Sequence, residues 1–168
     1  MTCVLFGAGA GALILERSDC PGDRGILSTS LHSDGTYCHI LETTGGVSTT
    51  GESGVISMRG REVFKHAVEK MAEGVLEALS SNQLTCDDLD WFVPHQANKR
   101  IMIAVAERLG IPLEKIIMTI GEHSNTSAAS IPLALWEASQ KKNIKEGDVV
   151  VLEALGGGLT WGSAVIRW

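Results

Sequence analysis

The chain has 168 residues, 44% of them hydrophobic, which is enough for one domain with a substantial core. Its formal net charge of −6 argues against a nucleic-acid-binding protein, because such proteins carry basic surfaces. No apolar run approaches the roughly eighteen residues of a membrane-spanning helix, and the N-terminus lacks a basic segment followed by an apolar signal core.

Two strands around a glycine-rich turn are predicted near the N-terminus, over residues 2–6 and 12–16. A glycine-rich turn after a strand can bind a dinucleotide, but that motif needs G-x-G-x-x-G spacing and a helix next, and both are missing. A further short strand is predicted over residues 25–31. Residues 33–57 are dense in Gly, Ser and Thr and predict a long loop.

A helical period begins at Gly60. Apolar residues then recur at intervals of four, at Val63, Ala67, Met71 and Val75. A strand over residues 91–93 leads to a second helix over residues 97–109, which Gly110 should end. A short helical turn should follow Pro112.

The last third of the chain alternates in the same way. Residues 116–120 form a β-rich run, and a third helix is predicted from about Thr126 to Gln140. Strands are predicted over residues 149–152 and 163–168, on either side of a triple glycine. This alternation, without an internal repeat, predicts one α/β domain.

The third helix is unusual because its first turns, residues 127–135, contain no charged side chain. A helix without charge on any side is normally buried on more than one face, as when it lies between two sheets. A chain of this length with one sheet has difficulty supplying both covers. The sequence therefore indicates that part of the fold is missing.

Two strand-to-helix turns carry side chains that can donate hydrogen bonds. Residues 91–98 (WFVPHQAN) present His95, and residues 123–130 (HSNTSAAS) present Asn125. At one edge of a sheet, two such donors can hold a substrate carbonyl oxygen while negative charge develops on it. The alternatives are a structural histidine and a helix-capping asparagine, although capping by Thr126 or Ser127 would leave the Asn125 amide free.

Together, these two motifs resemble the ketoacyl-acyl-carrier-protein synthase III family of the thiolase superfamily. The similarity also includes glycine-rich and apolar segments along the rest of the chain, at residues 3–11, 58–64, 93–101, 125–130 and 156–162. It covers the whole chain but only the C-terminal half of a family member. The resemblance implies an α/β fold with a mixed sheet flanked by helices and one helix of a central buried layer. Residues 1–24 would end the N-terminal half, and residues 25–168 would form the C-terminal domain.

The resemblance also implies that the nucleophile is absent. The family's nucleophilic cysteine lies in the N-terminal half, in an Ala-Cys-(Ala/Ser)-Gly setting that none of the four cysteines here shares. They lie at Cys3, Cys20, Cys38 and Cys86, without Cys-x-x-Cys spacing, and predict reduced structural thiols. The acidic run after Cys86 should raise the pKa of its thiol. Met1 aligns with the interior of the family's chain, so we expect a fragment or one piece of a split synthase.

The implied reaction condenses an acyl-CoA primer with malonyl-acyl-carrier protein and starts fatty-acid synthesis. His95 and Asn125 would stabilise the enolate formed when carbon dioxide leaves. Substrates would be CoA and phosphopantetheine thioesters, with no cofactor and no metal; His32, Cys38 and His39 match no common metal-site spacing. The expected partners are acyl-carrier protein, acyl-CoA and the missing N-terminal half, within a cytoplasmic homodimer that binds neither nucleic acid nor membrane.

Further site residues are implied position by position. The pantetheine tunnel would be lined by Met58, Gly60, Phe64, Ala97, Asn98, Gly156, Gly157 and Gly158. The carrier protein would dock on Lys65, Lys99 and Arg100 near the tunnel mouth. Ala8 replaces an aspartate common in the family, which we expect to affect local stability, and His123 is interpreted as structural.

Two alternative functions remain open from the sequence. The chain could belong to a related acyltransferase or a secondary-metabolite ketoacyl synthase, which an N-terminal half would reveal through its nucleophile and pocket. It could also be a catalytically inactive fragment that only binds carrier protein or CoA, and the missing cysteine favours that reading.

Overall fold

A computed structural model describes residues 3–17, 24–141 and 143–168 of the chain. Its main sheet has four strands, β1 (Gly25–Ser33), β4 (Trp91–Pro94), β5 (Val149–Gly156) and β6 (Thr160–Arg167), in the order β1-β6-β5-β4. Strand β4 runs parallel to β5, and the other two pairs are antiparallel. The predicted mixed sheet of an α/β domain is therefore confirmed.

Helices α1 (Gly60–Ser80) and α2 (Lys99–Leu109) pack on one face of this sheet. The four predicted apolar positions of α1 are all buried, at Val63, Ala67, Met71 and Val75. They share one core with the inward residues of α2 and the strands, including Phe92 and Val151. Burying a large apolar side chain contributes about 1.5–3 kcal/mol, so this layer accounts for much of the stability.

Helix α4 (Ser130–Gln140) packs on the opposite face. A 3-10 turn, Ser127–Ala129, and a short helix α3 (Ile120–His123) precede it. Ala134, Leu135 and Ala138 contact the sheet in a second core. The side of α4 that faces away from the sheet is partly exposed in the described part of the chain, since Trp136 is 59% exposed.

The two N-terminal strand predictions are wrong for this chain. Cys3–Leu5 form a 3-10 turn, and residues 7–17 have no regular secondary structure. A strand needs a neighbour to satisfy its backbone, and only an isolated bridge between Phe6 and Asn125 forms in this segment. Leu13, Ile14 and Leu15 are consequently exposed. The prediction at Cys20 lies outside the described residues.

The glycines of this segment allow it to cross the start of α4 closely. A Cβ on Gly9 would come within 2.8 Å of Cγ2 of Thr126, and one on Gly11 within 2.5 Å of Cβ of Pro132. Neither distance is tolerable for a side chain. Close packing, rather than dinucleotide binding, therefore explains this glycine-rich turn.

The region predicted as one long loop is partly ordered. It contains a 3-10 turn, Gly35–Ile40, and a hairpin of β2 (Leu41–Thr43) with β3 (Ile56–Met58). Asp34 begins the turn by accepting a hydrogen bond from the backbone N of Thr36 at 3.0 Å. Ile40, which is 1% exposed, anchors the region in a third apolar cluster. The sequence did not predict this hairpin, because strands of three residues are too short to show an alternation of apolar and polar residues.

The ends of the remaining elements follow local rules. The Asn98 side chain caps α2 by accepting a hydrogen bond from the backbone N of Arg100, and Gly110 ends it with a left-handed φ of 69°. The β-rich run at residues 116–120 contributes only an isolated bridge between Ile116 and Phe92. Among the described residues, no helix is long and apolar enough to cross a membrane.

Candidate active site

His95 directly follows strand β4. Its backbone N donates to the carbonyl of Glu153 on β5 at 2.7 Å, which extends the strand pairing by one step. The ring is half-buried, and its Nδ1 lies 2.6 Å from Oγ of Ser130. Burial lowers the pKa of the imidazole below its ordinary value, which favours the neutral ring.

Asn125 is buried at the other turn, and its side chain has a defined orientation. Its Oδ1 accepts a hydrogen bond from the backbone N of Ser127 at 2.9 Å. Side-chain capping by Thr126 or Ser127 does not occur, so our expectation about which residue caps was wrong. The result is nevertheless the same, because the Nδ2 amide makes no protein hydrogen bond within the described part of the chain and can donate.

The backbone around Asn125 is strained. Ser124 and Ser127 have left-handed φ values of 60° and 54°, a region that non-glycine residues seldom occupy. Such residues cost on the order of 1–3 kcal/mol each and persist where neighbouring contacts hold them. Here the backbone N of Asn125 donates to Leu5, and its carbonyl accepts from Gly7. The N-terminal segment thus holds the Asn125 turn in place.

Gln96 joins the two turns, and sequence reasoning gave it no role. The side chain is 1% exposed, and its Nε2 donates to the carbonyls of Pro94 at 2.8 Å and Ile117 at 3.1 Å. Its Oε1 accepts from the backbone N of Thr119 at 2.8 Å and of Ile120 at 3.1 Å. All four hydrogen-bonding positions of the amide are used. Gln96 therefore ties the end of β4 to the segment that leads into the Asn125 turn.

A groove of about 1320 Å³ brings the predicted site residues together. Both His95 and Asn125 line it. So do all the residues predicted to line the pantetheine tunnel: Met58, Gly60, Phe64, Ala97, Asn98, Gly156, Gly157 and Gly158. Leu41, Ile56 and Leu155 add an apolar lining that the sequence analysis missed, because the hairpin that supplies two of them was not predicted.

Two residues of the triple glycine, Gly157 and Gly158, are constrained by contacts and backbone geometry inside the protein. A Cβ on Gly157 would come within 2.9 Å of the carbonyl oxygen of Leu41, and Gly158 has a φ of 141°. Only glycine adopts such a backbone without strain. The close approach is therefore between this loop and the β2 hairpin, which together form one wall of the groove.

Comparison with known families identifies this arrangement. The sequence model for the C-terminal part of 3-oxoacyl-[acyl-carrier-protein (ACP)] synthase III matches residues 79–168, and the model for 3-oxoacyl-[acyl-carrier-protein (ACP)] synthase III matches residues 1–35. The chain belongs to the 3-oxoacyl-[acyl-carrier-protein] synthase III family. The resemblance seen in the sequence motifs is thereby confirmed.

Individual members of the synthase III family support the assignment. The chain is 57% identical to beta-ketoacyl-[acyl-carrier-protein] synthase III of Rhodobacter capsulatus and 55% identical to that of Sphingopyxis alaskensis, covering 99% of this chain in each case. It covers 52% of each relative, so the chain spans about half the length of these curated proteins. The crystal structure of 3-oxoacyl-[acyl-carrier-protein] synthase III from Aquifex aeolicus superposes with a TM-score of 0.83 at 40% identity, over 90% of this chain and 46% of that one.

The three basic residues predicted to dock a carrier protein differ in position. Arg100 lines the groove, with its guanidinium carbon 5.8 Å from the centre of the Phe64 ring. Lys65 is exposed on the first turns of α1. Lys99 lines a second, smaller cavity of about 480 Å³ rather than the main groove.

His123 contacts Glu137 of α4. Its Nε2 lies 2.5 Å from Oε1 of that carboxylate, and Nζ of Lys141 lies 2.8 Å from Oε2. The hydrogen bond from Lys141, followed by that from His123, holds the pKa of the Glu137 carboxyl below its usual range. His123 therefore secures the chain two residues before Asn125.

Cys38 and Cys86 are two of the four cysteines predicted to be reduced thiols. Cys38 and Cys86 are free, and burial together with Asp87 raises the pKa of the Cys86 thiol, as predicted. Within the described ranges, no group of three or more His, Cys, Asp or Glu residues is placed to hold a metal ion.

Proposed function

We propose that this chain supplies the C-terminal half of an enzyme that condenses an acyl-CoA primer with malonyl-acyl-carrier protein and so initiates fatty-acid synthesis. The supporting observation is that His95 and Asn125 come from separate turns and line one groove. His95 Nε2 and Asn125 Nδ2 are both without a protein partner in the part of the chain that the structure describes. Both are thus available to donate to one substrate oxygen.

The loss of carbon dioxide is the step that this chain serves. When the bond to the malonyl carboxylate breaks, its electron pair forms the enolate of the thioester, and negative charge develops on the thioester oxygen. The N–H groups of His95 and Asn125 donate to that oxygen. Each hydrogen bond lowers the activation free energy by about 3–4 kcal/mol. A neutral imidazole is required, because an imidazolium would transfer a proton and quench the carbanion.

The remaining groove residues would bind the substrate arms. Met58, Phe64 and Ala97 offer apolar contact for pantetheine, and the two glycines Gly156 and Gly60 leave room beside it. Gly157 and Gly158 form part of the groove wall beside the β2 hairpin, and Asn98 lines the groove at the start of α2. Arg100, which lines the groove, and the exposed Lys65 would attract an acidic carrier protein, and Lys99 would add to that charge from outside the groove.

The nucleophile would come from a separate N-terminal half. The carbanion would attack an acyl thioester on the cysteine of that half, and the cysteine sulfur would leave as a thiolate. We assign residues 1–24 to the end of the N-terminal half and residues 25–168 to the C-terminal domain. By resemblance to the family, the complete enzyme would be a cytoplasmic homodimer that uses CoA and phosphopantetheine thioesters without a cofactor.

The test measures release of carbon dioxide from malonyl-carrier protein after the chain is combined with an N-terminal half whose nucleophilic cysteine has been replaced. His95→Ala and Asn125→Ala should each lower the rate by about a hundredfold or more, because each removes one enolate donor. His39→Ala, an exposed histidine outside the groove lining, is the control and should leave the rate unchanged.

Two outcomes would favour other functions. If the combined protein binds malonyl-carrier protein but releases no carbon dioxide, the chain is a binding fragment. If the chain combined with an N-terminal half whose cysteine is intact accepts only primers unrelated to fatty-acid synthesis, the secondary-metabolite alternative holds. The priming ketosynthase of the R1128 polyketide pathway is 32% identical to this chain, with a TM-score of 0.78, and keeps that alternative relevant.

A further inference from the structure

Ser130 occupies the first position of α4 and reaches the His95 turn. Its side chain is 1% exposed. The Oγ atom lies 2.6 Å from Nδ1 of His95 and accepts a hydrogen bond from the backbone N of Gln96 at 3.2 Å. Among the residues that the structure describes, Ser130 Oγ makes no other hydrogen bond. The contact is therefore confined to the turn that presents the catalytic imidazole.

The single hydroxyl proton of Ser130 decides which tautomer of His95 fits. The Gln96 N–H already points at the oxygen, so the hydroxyl proton is free to point at Nδ1. If His95 carried its proton on Nδ1 instead, Ser130 Oγ would receive two N–H donors and its own buried proton would lack an acceptor, which is unfavourable. An imidazolium has a proton on Nδ1 as well and meets the same difficulty.

We propose that Ser130 is a positioning residue whose hydroxyl donates to Nδ1 of His95 and thereby holds the imidazole as the tautomer with its proton on Nε2. Nε2 is the nitrogen left for the groove, and a proton there is what donation to an enolate oxygen needs. The inference rests on the proposed function for its catalytic meaning. The lowered pKa of His95, caused by burial, acts in the same direction because it disfavours the imidazolium.

Nitrogen NMR of the chain labelled with ¹⁵N-histidine tests the proposal without any assay of activity. The two ring nitrogens of a neutral histidine differ strongly in chemical shift, so the spectrum reports the tautomer directly. We expect the wild-type His95 to be protonated on Nε2. Ser130→Ala should shift the tautomer ratio toward Nδ1–H by about tenfold, while Ser130→Thr, which keeps the hydroxyl, should restore the wild-type ratio.

Ser139→Ala is the matched control, because Ser139 lies on the same helix and donates to the carbonyl of Trp136, away from His95. It should not change the His95 spectrum. The proposal is wrong if wild-type His95 is protonated on Nδ1, or if folded Ser130→Ala keeps the wild-type ratio. Should Ser130→Ala not fold, Ser130→Cys, with a weaker donor of similar size, decides the same question.

The same variants separate this inference from the proposed function. In the combined enzyme, Ser130→Ala should lower carbon dioxide release by about tenfold with little change in KM, since Ser130 acts through His95 rather than on the substrate. A tautomer shift without any wild-type decarboxylation would support the role of Ser130 and refute the proposed function. If the combined enzyme releases carbon dioxide but the His95 tautomer does not respond to Ser130→Ala, the proposed function is supported and the role of Ser130 is refuted.

Discussion

Glu153 carries a buried carboxyl group whose pKa is strongly raised. It is 1% exposed on β5, and neither carboxyl oxygen has a hydrogen-bond partner among the described residues. Burial, with a smaller contribution from nearby Glu77, raises the pKa of this carboxyl to about 9. Gly74 of α1 leaves room for it, since a Cβ there would come within 3.1 Å of Oε2.

The raised pKa predicts a pH-dependent stability. Between the unfolded pKa of 4.5 and the folded value of about 9, folding takes up one proton at Glu153. The free energy of unfolding should therefore fall by roughly 1.4 kcal/mol for each unit by which the pH rises across this range. Glu153→Gln should remove this slope in urea unfolding measured at several pH values.

A matched substitution controls for the general loss of negative charge. Glu107 is exposed on α2, so Glu107→Gln should keep the wild-type slope. If Glu153→Gln also keeps it, the carboxyl is ionised in the folded protein. The sequence did not predict this residue, because burial of a carboxyl on β5 depends on the glycine that faces it from α1.

At the residue scale, a motif or a period carried structural information. The distinctive turns of His95 and Asn125 predicted that both residues lie at one site, and both line the groove, while their catalytic role stays a prediction. The spacing of apolar residues gave the inward face of α1. Gln96 and Ser130 were missed for one physical reason. Their roles are hydrogen bonds to atoms far away in sequence, and a polar residue beside a motif gives no sign of which distant backbone groups it will satisfy.

At the scale of elements, the side chain of Gln96 connects the end of β4 to the segment that leads into α3 through four hydrogen bonds. Gln96→Leu would remove the side-chain partner of two backbone N–H groups and two backbone carbonyls, mostly at buried positions. Unsatisfied buried groups cost about 1–3 kcal/mol each, and partial relaxation should reduce the total loss of unfolding free energy to about 2–4 kcal/mol. Chemical denaturation of the two proteins measures this difference.

Gln96→Glu distinguishes the link from simple space filling. The carboxylate keeps the shape and accepts from Thr119 and Ile120, but it repels the two carbonyl oxygens that Nε2 contacts in the wild type. Its protonation would restore one donor, so the destabilisation by Gln96→Glu should shrink as the pH falls. A pH-independent loss equal to that of Gln96→Leu would show that only packing volume matters at this position.

At this scale, elements were predictable where a long, regular apolar period has a packing partner within the chain. Helices α1 and α2 have the sheet to pack on, and the predicted start of α1 and both predicted ends of α2 agree with the structure to within two residues. The strands predicted over residues 2–6 and 12–16 did not form. Their composition favours strands, but a strand must pair with a neighbouring strand. The described residues supply only one isolated β-bridge, between Phe6 and Asn125.

At the scale of the whole molecule, large apolar side chains are exposed at two places. One is the N-terminal segment, where Ile14 is 94% and Leu15 is 76% exposed. The other is the outward side of α4, where Trp136 is 59% exposed. The segment crosses the start of α4 closely at Gly9 and Gly11. Exposed apolar surface of this kind is normally covered by a partner.

We therefore predict that the chain associates through this face, either with a supplied N-terminal half or with a second copy of itself. Sedimentation equilibrium at micromolar concentration should show the complex, and Trp136→Glu should weaken its formation by at least tenfold because a charge would be buried at the contact. Leu76→Glu places the same charge on an exposed apolar position of α1 and should leave association unchanged. A wild-type chain that stays a monomer, alone and with the N-terminal half, and binds no hydrophobic dye would show that these surfaces need no cover.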